Sequence, residues 1–236
     1  MKIGTYNIDW AQKYKSKTHV HAIEKVLRDQ DFDLLIITES VDLELGFPFI
    51  YRSKALPIDV EFEGLHYGAY LRNSPANRVS IYSKYEAVTE FKVADVFTSL
   101  SLQFQTEVGV LNIYSTIIGT RFNKLPYAKI ELDNCVNDCL TIFAENKSLC
   151  MVGDLNTAFL PEDFDFQINK DTTSVLIKLA TDCNMEMTTA DLKENIDHIF
   201  VPKGIAENFN IEAKVFIEKG ILSDHKGVSI EITHFS

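Results

Sequence analysis

Polar side chains able to bind a metal or move protons stand where apolar stretches of this sequence end. They are Asn7, Glu39, Asp154, Asn156, Asp197, Asp224 and His225. A carboxylate that is buried without a partner or a cation is strongly destabilising, so several of them at the rim of a sheet need a compensating charge. This recurrence predicts a metal site.

The donors in this set are oxygen atoms and imidazole, and none is a thiolate. Hard oxygen donors favour Mg²⁺ over zinc, with Mn²⁺ as a substitute. We predict Glu39 as the direct ligand, with Asn7 and Asp224 beside it.

The remaining polar residues match the needs of phosphoester hydrolysis. Asp154 and Asn156 are two positions apart after an apolar strand, so one can accept a proton while the other donates to an oxyanion. A carboxylate partner, with Asp197 as the candidate, would fix the tautomer of His225 and raise its pKa. A cationic histidine next to a phosphate stabilises negative charge on the phosphoryl oxygens.

Strands dominate the predicted elements, and three helices interrupt them. Apolar runs and alternation predict strands at 2–8, 34–37, 148–153, 196–201, 213–217 and 228–232, with an antiparallel meander of strands at 67–71, 79–82, 100–104 and 110–114. Helical spacing predicts helices at 18–30, at 124–145 with Leu140 on its apolar stripe, and around Val175 and Leu179. The pattern favours an α/β protein with two face-packed sheets and helices outside.

Composition narrows the class of protein. The 236 residues are 46% hydrophobic and 24% charged, which is typical of a packed globular protein and favours a single domain over 1–236. A net charge of −11 argues against coating nucleic acid by bulk charge, yet leaves room for a nuclease with a local basic mouth. There is no Gly-rich nucleotide loop, so no nucleotide cofactor is expected, and no feature predicts a protein partner.

The expected location is the cytoplasm. The first residues lack the pattern of a secretory signal, and no apolar run is long enough to span a membrane. The four cysteines lack metal-ligand spacing and are interpreted as reduced core thiols.

Five short motifs resemble those of the endonuclease/exonuclease/phosphatase superfamily, which includes DNase I, exonuclease III and the apurinic/apyrimidinic endonucleases. In chain order they are Thr5-Tyr6-Asn7, Glu39, Gly153-Asp154-Leu155-Asn156, Ile196-Asp197-His198-Ile199 and Ser223-Asp224-His225. The resemblance implies a four-layered α/β/β/α sandwich of the DNase I type.

The same resemblance implies roles for individual residues. Glu39 would hold the metal with Asn7 beside it, and Asp224 would belong to the metal and water network. Asp154 would activate or orient the attacking water. Asn156 would contact the phosphate, Asp197 would orient His225, and Tyr114 would touch the scissile phosphate, although ordinary sheet packing is an open alternative for Tyr114.

Further substrate contacts are predicted at Arg78, Arg121 and Trp10. Arg78 stands where the family usually has glycine, and Trp10 is either a base-stacking platform or a core residue. His198 follows Asp197, where abasic-site endonucleases generally have an aromatic residue, which weakens an assignment to abasic-site repair. Since the His198 side chain alternates away from that of Asp197, a structural role is predicted for it.

The leading functional hypothesis is a Mg²⁺-dependent phosphodiesterase that hydrolyses nucleic acid. The alternative is a phosphoesterase for a non-polymeric substrate, such as an inositol phosphate, a phospholipid head group or a protein–nucleotide linkage. A third hypothesis is a binding module of the same fold without catalytic activity.

Overall fold

Two six-stranded sheets pack face to face, and helices cover the outer face of each. The computed structural model describes residues 1–9, 16–55, 61–62, 65–66, 77–119, 127–166 and 170–235. The four layers are those of an α/β/β/α sandwich of the DNase I type, as the sequence predicts.

The first sheet contains both ends of the chain. Its strands are β1 (Lys2–Asn7), β2 (Leu34–Ser40), β3 (Phe49–Arg52), β6 (Asn77–Ser83), β13 (Asn210–Ile217) and β14 (Gly227–Thr233), in the order β13-β14-β1-β2-β6-β3. Only β1 and β2 are parallel; the other neighbours are antiparallel. A separate short pair is formed by β4 (Glu61–Phe62) and β5 (Leu65–His66).

The second sheet carries the order β11-β12-β10-β9-β8-β7. Its strands are β7 (Ala87–Phe91), β8 (Ser99–Thr106), β9 (Gly109–Ile117), β10 (Leu149–Asp154), β11 (Met185–Glu186) and β12 (Asp197–Pro202). The helices are α1 (Lys17–Arg28), α2 (Tyr127–Glu145), α3 (Lys170–Asp182) and α4 (Lys203–Asn208), and a 3₁₀ segment spans Pro161–Phe166. Here β9 and β10 are parallel.

The apolar run at the start of β2 is buried on both faces of its sheet. Leu34 and Ile36 face the core between the two sheets, and Leu35 and Ile37 face the layer of α1. Ser16 begins α1, since its hydroxyl accepts a hydrogen bond from the His19 amide at 3.2 Å. Because β2 is buried on both faces, the polar residues at its end lie on a rigid element at the rim of the sheet.

Two sequence-based expectations about these layers are wrong. The predicted meander is split, because β6 pairs with β2 in the first sheet while β8 and β9 lie in the second. Leu140 is 38% exposed and lies off the apolar stripe of α2, which buries Leu132 and Cys139, together with Cys135 and Ile142, against the second sheet. The predicted strand at 67–71 lies outside the described residues.

All four cysteines are buried, and none forms a disulfide, as predicted. Within the described ranges, no helix is both long and apolar enough to cross a membrane.

Candidate active site

The two sheets meet at one rim through a hydrogen bond between buried polar side chains. Asn7 ends β1 in the first sheet, and its Nδ2 donates to Oδ2 of Asp154, which ends β10 in the second, at 2.9 Å. Neither side chain reaches solvent to a meaningful degree. Residues 147 positions apart in the chain are thus joined in one site.

Asp154 is held by the turn that follows it. The Asn156 amide donates to Oδ1 at 2.9 Å, and its side-chain Nδ2 donates to Oδ2 at 3.0 Å and to the Ile118 carbonyl at 2.8 Å. Gly153 makes this turn possible, because its φ is +144° and a Cβ would lie 2.0 Å from the Thr116 carbonyl oxygen. The sequence Gly153-Asp154-Leu155-Asn156 thus fixes one carboxylate in place.

Burial and the charge of Asp197 raise the pKa of Asp154 to about 7. The charge of His225 and the hydrogen bond from Asn7 oppose this rise. A carboxylate in this range can exchange a proton near neutral pH.

Asp197 and His225 form a short pair, with Nδ1 of the imidazole 2.6 Å from Oδ2 of the carboxylate. Burial alone would lower the pKa of His225, but Asp197 and Asp154 raise it to about 10. Burial also raises the pKa of Asp197, and His225 opposes that rise. The contact is therefore an imidazolium donating to a carboxylate. Asp224 is half-exposed, with Oδ1 4.0 Å from His225 Nε2.

Glu39 belongs to the same electrostatic cluster. It lies at the end of β2 with a left-handed backbone, φ +47°, and its side chain is buried. Burial raises the pKa of Glu39, Arg78 and His225 lower it, and Asp154 and Asp9 raise it. A non-glycine residue in this conformation is uncommon, and Asp9 and Asn156 of the same site share it.

Sequence reasoning missed Asp9. It is buried with φ +50°, and its amide donates to Asn7 Oδ1 at 2.8 Å. The pair of Asn7 and Asp9 repeats the two-residue spacing of Asp154 and Asn156, and this repetition was the available signal.

These groups fit a divalent cation. Asp154, Asp197 and His225 offer atoms that all lie within 4.8 Å of one another. Oδ1 of Asp197 is buried and has no hydrogen-bond partner within the part of the chain that the structure describes. Because Nδ1 of His225 is already bonded to Asp197, the donors left for a cation are mainly oxygens, which suit Mg²⁺ or Mn²⁺.

Comparison with known proteins agrees with this geometry. The model of the endonuclease/exonuclease/phosphatase family matches residues 4–225. The chain belongs to this family. Its members are hydrolases that act on phosphoesters. No curated protein matches the sequence significantly.

Solved structures show the same fold at low sequence identity. A 3′-5′ exonuclease from Neisseria meningitidis is 13% identical with a TM-score of 0.65, covering 99% of this chain and 100% of its own. The 3′ phosphatase NExo from Neisseria, bound to a product DNA hairpin, is 14% identical with a TM-score of 0.67, covering 98% and 99%. An AP endonuclease from Archaeoglobus fulgidus is 14% identical with a TM-score of 0.65, also covering 98% and 99%.

The expected role of Tyr114 is not supported. Tyr114 is on β9 opposite Met151 and packs in the cluster under α2, where its hydroxyl donates to Asp138 Oδ2 at 3.1 Å and Ser99 Oγ at 3.0 Å. Strand alternation places it on the face opposite Asp154, and Met151 is three positions before Asp154, roughly 10 Å along the strand. These contacts favour the sheet-packing alternative.

The sequence predicts Arg78 as a substrate contact, but its side chain does not line an open cleft. Its side chain is 7% exposed, and Nη1 lies 3.1 Å from Oε1 of Glu131 on α2. A direct contact with a bulky substrate therefore does not fit its burial. Trp10 and Arg121 lie outside the described residues.

His198 is buried on the other face of β12, as alternation predicts. One ring nitrogen, Nε2, donates to the Thr157 carbonyl at 2.9 Å, and Nδ1 lies 3.1 Å from the Thr189 hydroxyl. The Phe159 ring packs edge-on against it, and burial lowers the pKa of His198 to about 4.

Proposed function

We propose that this protein is a Mg²⁺-dependent phosphodiesterase that hydrolyses nucleic acid, with Mn²⁺ as a substitute ion and 1–236 as one catalytic domain. The observation that carries the proposal is the buried acidic cluster in which Asn7 contacts Asp154 and His225 contacts Asp197. Glu39, Asn7 and Asp224 are the proposed metal residues. The divalent ion, when bound, supplies a Lewis acid for a phosphoryl oxygen.

Asp154 is proposed to orient the attacking water and accept its proton. Both of its oxygens accept hydrogen bonds, from Asn7 and from Asn156, so the carboxylate cannot rotate freely. Its raised pKa, about 7, matches a proton acceptor that works near neutral pH. The side-chain Nδ2 of Asn156 donates to Asp154 and to the Ile118 carbonyl. We therefore propose that Asn156 positions Asp154 and does not contact the phosphate.

His225 is proposed to stabilise the negative charge that develops on phosphorus-bound oxygens. Its imidazolium points Nδ1 at Asp197, which fixes the ring and leaves Nε2 as the donor toward the substrate. Such preorganised donors supply much of the rate enhancement in phosphoryl transfer.

Nucleic acid is the favoured substrate because the structural relative NExo is bound to a product DNA hairpin. One observation favours the second candidate, a non-polymeric phosphoester. The net charge of −11 gives the chain little of the positive field that a long polyanion requires.

The test is hydrolysis by the purified protein with Mg²⁺ or Mn²⁺ on plasmid, single-stranded DNA, RNA, a DNA hairpin with a 3′ phosphate, and phosphatidylinositol phosphates. We expect cleavage of a nucleic acid, with kcat/KM falling steeply as salt increases. Asp154→Asn is the matched control for contaminating nuclease. Activity confined to the small esters, with a shallow salt dependence, would favour the second candidate; inactivity on all substrates would favour a binding module.

A further inference from the structure

Arg78 places a buried guanidinium opposite the proposed metal ligand. In the ladder between β2 and β6, Thr38 pairs with Val79 and Ser40 with Asn77, so Arg78 lies opposite Glu39. An arginine remains charged at any physiological pH. Burial raises the pKa of Glu39, and the charge of Arg78 lowers it, so the two groups interact electrostatically.

A second carboxylate, Glu131 of α2, engages the same guanidinium. Nη1 of Arg78 is 3.1 Å from Oε1 of Glu131, and the Glu131 side chain is 3% exposed. Arg78 comes from the first sheet, whereas α2 covers the outer face of the second, so the ion pair spans layers of the sandwich. A buried pair of this kind is strongly destabilised by removal of one partner.

The three groups form a carboxylate–guanidinium–carboxylate series that ends at the metal site. A cation that binds at Glu39 must approach the charge of Arg78, which repels it. Burial raises the pKa of Glu131 to about 7, while Arg78 lowers it; in its ionised form, above that pH, Glu131 offsets part of the charge of Arg78 and holds the guanidinium from the side of α2. Arg78 and Glu131 are 3.1 Å apart, and both of them and Glu39 are buried, so screening of their charges by solvent is weak.

We propose that Arg78 and Glu131 are positioning residues that set the divalent-metal affinity of the site: Arg78 weakens cation binding at Glu39, and Glu131 moderates that effect. This inference rests on the proposed function, in which Glu39 is a metal ligand. A site balanced in this way binds its cation more tightly when a substrate phosphate adds negative charge.

The test measures Mn²⁺ binding without substrate, by calorimetric titration and by electron paramagnetic resonance, so it does not depend on activity. We expect Arg78→Gln to bind Mn²⁺ about tenfold more tightly and Glu131→Gln about tenfold more weakly than the wild type. Arg78→Lys keeps the charge and should stay close to the wild type. The double variant should resemble Arg78→Gln, because Glu131 acts through Arg78.

Glu39→Gln distinguishes a failure of the metal assignment from a failure of the proposed effect of Arg78 and Glu131. Equal Mn²⁺ affinity in Glu39→Gln and the wild type would overturn the metal assignment and this inference with it. If Glu39→Gln loses binding but Arg78→Gln and Glu131→Gln shift affinity in the same direction, or not at all, only the inference about the pair is overturned.

Folding of each variant is checked by circular dichroism and thermal unfolding. Should Glu131→Gln fail to fold, Arg78→Lys and Arg78→Gln decide: tighter binding in the glutamine variant alone supports the proposal, and equal affinity in both overturns it.

Discussion

Two histidine environments lie near opposite faces of one strand, and they favour different charge states: one imidazole is a cation and the other is neutral at pH 7. Asp197 on β12 faces the acidic cluster and pairs with His225, while the next residue, His198, faces neutral partners. Burial lowers the pKa of both imidazoles, yet the final values are about 10 for His225 and about 4 for His198. Carboxylate partners therefore outweigh burial at His225, whereas burial outweighs the neutral partners at His198.

The largest expected difference between the two environments is catalytic. His225→Gln removes the proposed charge-stabilising donor and should lower kcat on the order of 10²–10³-fold. His198→Gln keeps a donor for the Thr157 carbonyl and should change kcat by only about two- to threefold below its unfolding temperature. Steady-state hydrolysis by both purified variants checks this, and an equal loss in the two would contradict the distinction.

The second difference is in how stability depends on pH. The folded pKa of His198 lies near 4, below the ordinary 6.5, so the unfolded chain takes up the proton first as pH falls. The contribution of neutral His198 to the free energy of unfolding is complete above pH 6.5 and is lost as the pH falls toward 4. At roughly 1.4 kcal/mol per pKa unit, this contribution is about 3 kcal/mol.

Urea unfolding of the wild type and of His198→Gln at pH 7 and near pH 4.5 isolates this contribution. The wild type should lose more free energy of unfolding across that interval than the variant does. Parallel losses in both proteins would mean that His198 is protonated in the folded state.

The smallest expected effect concerns Tyr114, which sharpens the distinction between the faces of the second sheet. Tyr114→Phe removes the hydroxyl that contacts Asp138 and Ser99 and should lower the free energy of unfolding by about 1 kcal/mol. Hydrolysis should stay near the wild-type rate. A rate loss as large as that of His225→Gln would show that the hydroxyl reaches the substrate.

Local pattern in the sequence is enough to predict the strands that carry several of the candidate residues. Asn7, Glu39 and Asp154 each follow a buried strand, and the apolar runs predict those strands within a few residues. Parallel pairing of β1 with β2 places Asn7 and Glu39 at one edge of the first sheet, and the contact of Asn7 with Asp154 brings the end of β10 to the same rim.

What the sequence could not predict depends on pairing between distant segments. The face of the sheet on which Tyr114 lies follows from its register with Met151. The division of the meander between two sheets follows from the pairing of β6 with β2. The contact between Arg78 and Glu131 joins residues 53 positions apart and leaves no periodic signal. Such features arise from tertiary packing, which overrides local preference.

The hydrogen bond between Asn7 and Asp154 and the pairing of Asp197 with His225 also bear on the order of biosynthesis. The first 200 residues contain Asn7, Asp154 and Asp197 but lack the imidazole at position 225, so a nascent chain of that length can form only the first of these two contacts. Under the proposed mechanism, the nascent polypeptide therefore lacks hydrolytic activity until residue 225 has been added, and a cut between these positions that lets the fragments separate would abolish the activity of the mature protein.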